Sequence, residues 1–138
     1  MMVVVVWLAG CRSADRPTEA RPAWDQFVSG FLETYFEADP LFAVYQGRHE
    51  FDGQFPDWSE AGLKGWAGRL HQLRDSAVAF PVDGNDSARR LERDYLVARI
   101  DHDLFWLERA DWPHRNPEYY TDTMDPNVYL AREYAPLP

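Results

Sequence analysis

With a single cysteine, Cys11, in 138 residues, the chain has neither an internal disulfide nor a cysteine zinc knuckle. Long apolar runs are missing too: the stretch from Met1 to Gly10 falls far short of the roughly 20 residues a membrane-spanning helix needs. There is no internal repeat, no glycine-rich phosphate loop, and no apolar/polar alternation long enough to build a sheet. Basic residues are few, 14 against 23 acidic for a net charge of -9, and they are scattered, which excludes a nucleic-acid partner that needs a basic footprint. The zinc-peptidase signature His-Glu-x-x-His is also lacking. The pair His49-Glu50 begins like it, but Gly53 stands where the second imidazole must be, and Gly47, Gly53 and Pro56 argue against the helix that motif requires. What is abundant is apolar and aromatic matter, 46% and 15%, ample for the core of one small domain.

The N-terminal apolar run has the length of a signal-peptide core. Its end, Leu8-Ala9-Gly10-Cys11, resembles the bacterial lipoprotein cleavage box, in which small residues precede a cysteine that is lipidated and becomes the new N-terminus. No Lys or Arg precedes the run, a departure from the usual leader. The resemblance implies a cell-envelope lipoprotein facing the periplasm, in the outer membrane, with the membrane as partner through Cys11. Residues 1–11 are then the signal peptide with its lipidated cysteine. Residues 12–21, polar and without apolar periodicity, are a flexible tether, and 22–138 the folded body.

The body reads as all-α. Trp24, Phe27, Val28, Phe31, Leu32, Tyr35 and Phe36 draw one broad stripe at helical spacing, begun by Pro22 and ended by Asp39-Pro40. Asp39 then caps a short second helix that runs up to Gly47. Asp57 or Ser59 caps a third, with a seam of Leu63, Trp66, Leu70, Leu73 and Ala77, stopped by Phe80-Pro81. After a turn, the fourth and longest helix spans about Ser87 to Ala110. It carries two seams, Leu91/Tyr95/Ala98/His102/Phe105 and Val97/Ile100/Leu104/Leu107, which predicts cover on two sides. A short helix is expected at Pro126 to Tyr134. The expectation is an all-α segment of about four to five helices, incomplete without downstream chain.

Candidate chemistry is sparse. His102 lies between Asp101 and Asp103 with Asp94 two turns earlier, but no second histidine stands four residues away, so a hydrogen-bonded, partly buried histidine is expected rather than a metal ligand. Arg90/Asp94 and Arg99/Asp103 have the spacing of surface pairs, not of an acid/base dyad. No Ser or Cys nucleophile has an activating neighbourhood, so no catalytic residue and no metal ligand is assigned. The loop from Gly47 to Trp58 differs in kind, setting His49, Glu50 and Asp52 among Phe51, Phe55 and Trp58. Two readings stand: the carboxylates serve the loop's own backbone, or His49, Glu50 and Asp52 line a cleft completed by residues outside this chain.

The run from Phe27 through Ala38-Asp39-Pro40, continued by Ala43-Val44-Tyr45-Gln46-Gly47-Arg48-His49-Glu50-Phe51-Asp52-Gly53 and Phe55-Pro56-Asp57-Trp58-Ser59, resembles the start of the bacterial "domain of unknown function 885" proteins. Asn116-Pro117-x-x-Tyr120 and Tyr134-Ala135-Pro136 share the likeness. That family implies mostly helical exported lipoproteins of several hundred residues, related to zinc metallopeptidases, with their His-Glu-x-x-His helix far downstream. The resemblance therefore implies an N-terminal helical segment, inactive alone, of a protein that in full-length form would use zinc and a peptide substrate. A self-contained helical lipoprotein acting as a binding or interaction module is the alternative.

If Cys11 is lipidated, its acyl chains hold the protein on the membrane at about 0.8 kcal/mol per buried methylene. Expressed in a bacterium with a competent leader, the parent should fractionate with membranes and carry lipid mass, and Cys11→Ser should lose both. Identical fractionation and mass would refute lipidation.

Overall fold

The computed structural model describes residues 20–83, 86–121 and Met124. Cys11 and its leader, most of the tether, and the helix expected at Pro126 to Tyr134 lie outside the described residues. Within them the chain is all-α, with three long helices, α1 (Ala20–Ala38), α3 (Glu60–Ala79) and α4 (Ser87–Leu104). Three short ones join them: α2 (Pro40–Tyr45), α5 (Trp112–Arg115) and α6 (Glu118–Thr121).

Local chemistry places most of the boundaries. The Asp39 carboxylate accepts the Phe42 N–H at 3.0 Å and Pro40 opens α2, as the sequence predicts. Ser59, rather than Asp57, caps α3 by accepting the Gly62 N–H at 3.0 Å, while Asp57 accepts the Ser59 N–H and orients the cap. Asp86 caps α4 through the Arg89 N–H. α1 starts at Ala20, inside the stretch expected to be tether, with Pro22 tolerated in the first turn because its missing N–H would have no helical partner there.

Cross-helix pairs give the topology. His71 meets Glu108 and Arg74 meets Asp101, so α3 and α4 run antiparallel. Trp24 meets Glu92 and Tyr35 meets Asp103, so α1 runs parallel to α4. The core of this three-helix body is Trp24, Phe31, Leu70, Leu73, Ala77, Leu96, Ile100 and Leu104, with Leu70 and Ile100 fully buried. Each such large side chain contributes about 1.5–3 kcal/mol of transfer free energy. Trp24 is only 2% exposed, yet its indole N–H is satisfied, donating to Glu92 Oε2 at 3.1 Å. The backbones of α3 and α4 approach closely, whereas α1 stands off behind bulky rings such as Trp24 on Phe80 and Tyr35 on Trp66.

Two expectations for α4 need correction. The regular helix stops at Leu104, and Phe105–Arg109 form a wider π turn closed by the Ala110 N–H on Phe105 O at 2.8 Å. The second correction concerns its two seams, of which one is covered. Ile100 and Leu104 are buried and Val97 and Leu107 partly so, while Leu91, Tyr95 and Phe105 are 71%, 73% and 51% exposed. Asp94 also pairs with its neighbour Arg93, not with Arg90, whereas Arg99 and Asp103 do pair, at 3.2 Å.

Candidate functional site

The loop singled out by sequence is held by Arg48. Gly47 and Gly53 both take positive φ, 86° and 77°, which lets the chain turn sharply on either side of the 3-10 turn His49–Phe51. Arg48 forms a two-pronged pair with Glu33 on α1 at 2.7 and 2.9 Å and donates from Nε to Glu50 at 2.6 Å. Its guanidinium lies 5.1 Å from the Phe36 ring centre and 5.7 Å from that of Phe51. The Arg48 hydrogen bond holds the Glu33 carboxyl below its ordinary range, and Glu50 is lowered by its own backbone N–H and by Arg48. His49 faces Asp52 at 3.4 Å, and Phe51 packs on Leu41 and Val44. His49, Glu50 and Asp52 thus engage this exposed local cluster. The loop residues that reach the aromatic concavity are Pro56 and Trp58.

That concavity lies at the C-terminal ends of α1 and α4, with a volume of about 240 Å³. Its aromatic walls are Tyr35, Trp58, Trp66, Trp106, Trp112 and Tyr119, drawn from almost every element. The π turn and Asp111, whose φ of 52° lies in the left-handed region, reverse the chain so that Trp112 folds back on Trp106 with ring centres 4.4 Å apart. His114 fastens this reversal, meeting Asp111 at 2.6 Å and Glu60 at the start of α3 at 2.7 Å, and both carboxylates push its pKa up. Tyr35 meets Trp66 edge-on at 5.5 Å, and Trp58 meets Tyr120 edge-on at 5.5 Å. Pro56, Trp58, Trp66 and Tyr119 also border a neighbouring hollow of about 400 Å³.

The polar groups at the cleft are Asp39, His102 and Asp103. Tyr35 donates its hydroxyl to Asp103 Oδ2 at 2.9 Å and accepts from Arg99 Nη2 at 2.6 Å, and burial pushes the phenol up to about 12. Arg99 also donates to Asp103, so that carboxylate's charge is answered. Asp39 is different. It accepts the Phe42 N–H but has no ion-pair partner among the described residues, and burial raises its pKa. Trp106 donates to His102 Nε2 at 3.0 Å, so that nitrogen carries the lone pair and the ring proton sits on Nδ1, facing Asp103 at 3.3 Å. His102 is hydrogen-bonded as expected, but exposed rather than partly buried.

His49, His71, His102 and His114 stand on separate elements, each beside a carboxylate, and among the described residues no group of three His, Cys, Asp or Glu side chains could hold a metal. No zinc-dependent step is therefore assigned to them. Sequence reading missed the cleft because its rings come from distant positions without a common period. Its one available signal was the tryptophan content, since four of the six tryptophans face it. Comparison with protein-family models, curated proteins and solved structures gave no match, so the geometry carries the functional reading.

Because burial raises the folded pKa of Asp39 above its unfolded value, the stability linked to it is fully present below the unfolded value and is lost as pH rises through the folded one. Asp39→Asn keeps a capping oxygen and removes the ionisation. At neutral pH the variant should unfold at the same or a higher denaturant midpoint than the parent, with the difference narrowing as pH falls into the ordinary carboxylate range. A lower midpoint at neutral pH would contradict the assignment.

Proposed function

We propose that this chain is the N-terminal helical segment of an exported, membrane-anchored protein resembling metallopeptidases, in which it packs against the body that carries the chemistry. The observation that supports this reading is the uncovered seam of α4. Leu91, Tyr95 and Phe105 lie on one face over roughly 21 Å of helix. Tyr95 borders an open, mainly apolar groove of about 760 Å³ between α1 and α4, to which Leu32 and Phe42, 40% and 38% exposed, also contribute. Isolated surface leucines are ordinary, but large apolar side chains exposed repeatedly along one helix face, interrupted only by His102, suit burial against another element. Its helical periodicity matches a helical neighbour. Peptide hydrolysis and zinc belong, in this reading, to the full-length protein.

The alternative, a self-contained helical lipoprotein acting as a binding module, is favoured by the aromatic cleft. The coding DNA past Pro138 separates the two: an open frame reaching a His-Glu-x-x-His helix supports the first, and an immediate stop the second. A physical test uses Leu91→Glu and Tyr95→Glu. In the 138-residue chain each should shift stability by no more than about 0.5 kcal/mol, as surface changes do. In the extended protein each should cost about 2–5 kcal/mol, since a charge would replace a buried apolar body. Small effects in both proteins would contradict a docking role.

A further inference from the structure

We infer that the aromatic cleft is a binding site for a small organic cation of the quaternary or alkylated ammonium class. This inference does not rest on the docking role of α4. Six rings line a space of about 240 Å³, and their faces carry the negative side of the ring quadrupole, which attracts weakly hydrated cations. The space accommodates a trimethylammonium group with a short tail, and the wall of rings suits its methyl groups, which cannot accept hydrogen bonds.

Charge points the same way. The Asp103 carboxylate is paired directly with Arg99, whereas Asp39 brings to the cleft a negative charge that accepts a backbone N–H and feels Arg99 only at a distance, without an ion pair among the described residues. α1 also ends here, so the partial negative charge of its C-terminal carbonyls adds to that of Asp39. An anion would meet repulsion from both. A metal ion would want several oxygen or nitrogen ligands, and no such group occurs among the described residues. The site is also largely pre-formed, because Trp106 is held against Trp112, Trp66 against Tyr35, and Trp58 against Tyr120. Little side-chain ordering then opposes binding.

The test titrates the 138-residue chain with choline chloride at constant ionic strength, read by tryptophan fluorescence and by calorimetry. A parallel titration uses 3,3-dimethylbutan-1-ol, the uncharged carbon isostere of the same shape. Choline should bind saturably with a Kd of about 1 mM or tighter, and the isostere about tenfold more weakly. Asp39→Asn, which retains the cap of α2, should weaken choline about tenfold and leave the isostere unchanged, while helix content measured by circular dichroism stays that of the parent. Absence of saturable choline binding, equal affinity for the isostere, or an unchanged affinity in Asp39→Asn would each overturn the assignment.

Discussion

The Tyr35 hydroxyl ties together two helices that their own backbones leave apart. α1 and α4 run parallel and are spaced by large rings, so close packing alone does not fix their distance along the whole contact. Near the C-terminal ends, Tyr35 reaches from α1 into the pair formed by Arg99 and Asp103 on α4, accepting from the one and donating to the other. A partly buried phenol gains from such partners, since an unmade hydrogen bond away from water would cost up to about 1–3 kcal/mol. Tyr35 is also the partition between the two concavities. Arg99 lies on the side of the apolar groove and Asp103 on the side of the aromatic cleft, and the tyrosine ring borders both.

This arrangement explains why one small body has two unlike surfaces. On the groove side, α4 presents Tyr95 and Leu91 with no covering element among the described residues, a face suited to another helix. On the cleft side, the π turn departs from the regular helix and the chain doubles back through Asp111, bringing Trp112 and Tyr119 toward rings of α3 and the loop. The wider turn ends α4 and re-aims the side chains of Phe105–Arg109 relative to a regular helix.

Much of the fold was legible in the sequence because its punctuation is local. Asp39-Pro40, Ser59 and Phe80-Pro81 each act within one helical turn, through a cap or a missing donor, and each stands where expected. The seam of α3 was equally legible from its spacing. The two seams of α4 were visible as periodicity, but periodicity does not say whether a partner is present, and only the Ile100 side is covered. The π turn and the left-handed Asp111 left no local signature, since a non-glycine residue at positive φ is set by its surroundings. The cleft was illegible for a related reason, being assembled from side chains between Tyr35 and Tyr119. In the Gly47 to Trp58 loop, His49, Glu50 and Asp52 stand out by residue type, whereas Arg48, a residue of less obvious promise, organises the cluster around Phe36 and Phe51.

The most direct test of this account is a double-mutant cycle on Tyr35→Phe and Asp103→Ala, measured by denaturant unfolding. If the hydroxyl and the carboxylate act as one tie between α1 and α4, the two losses should be non-additive by about 1–2 kcal/mol, because either change alone already breaks the bond. Losses that add to within about 0.3–0.5 kcal/mol would mean that the Tyr35 hydroxyl supplies no tie of its own, leaving α1 and α4 to ring packing and to the Trp24–Glu92 and Arg89–Asp25 contacts, and would contradict the account.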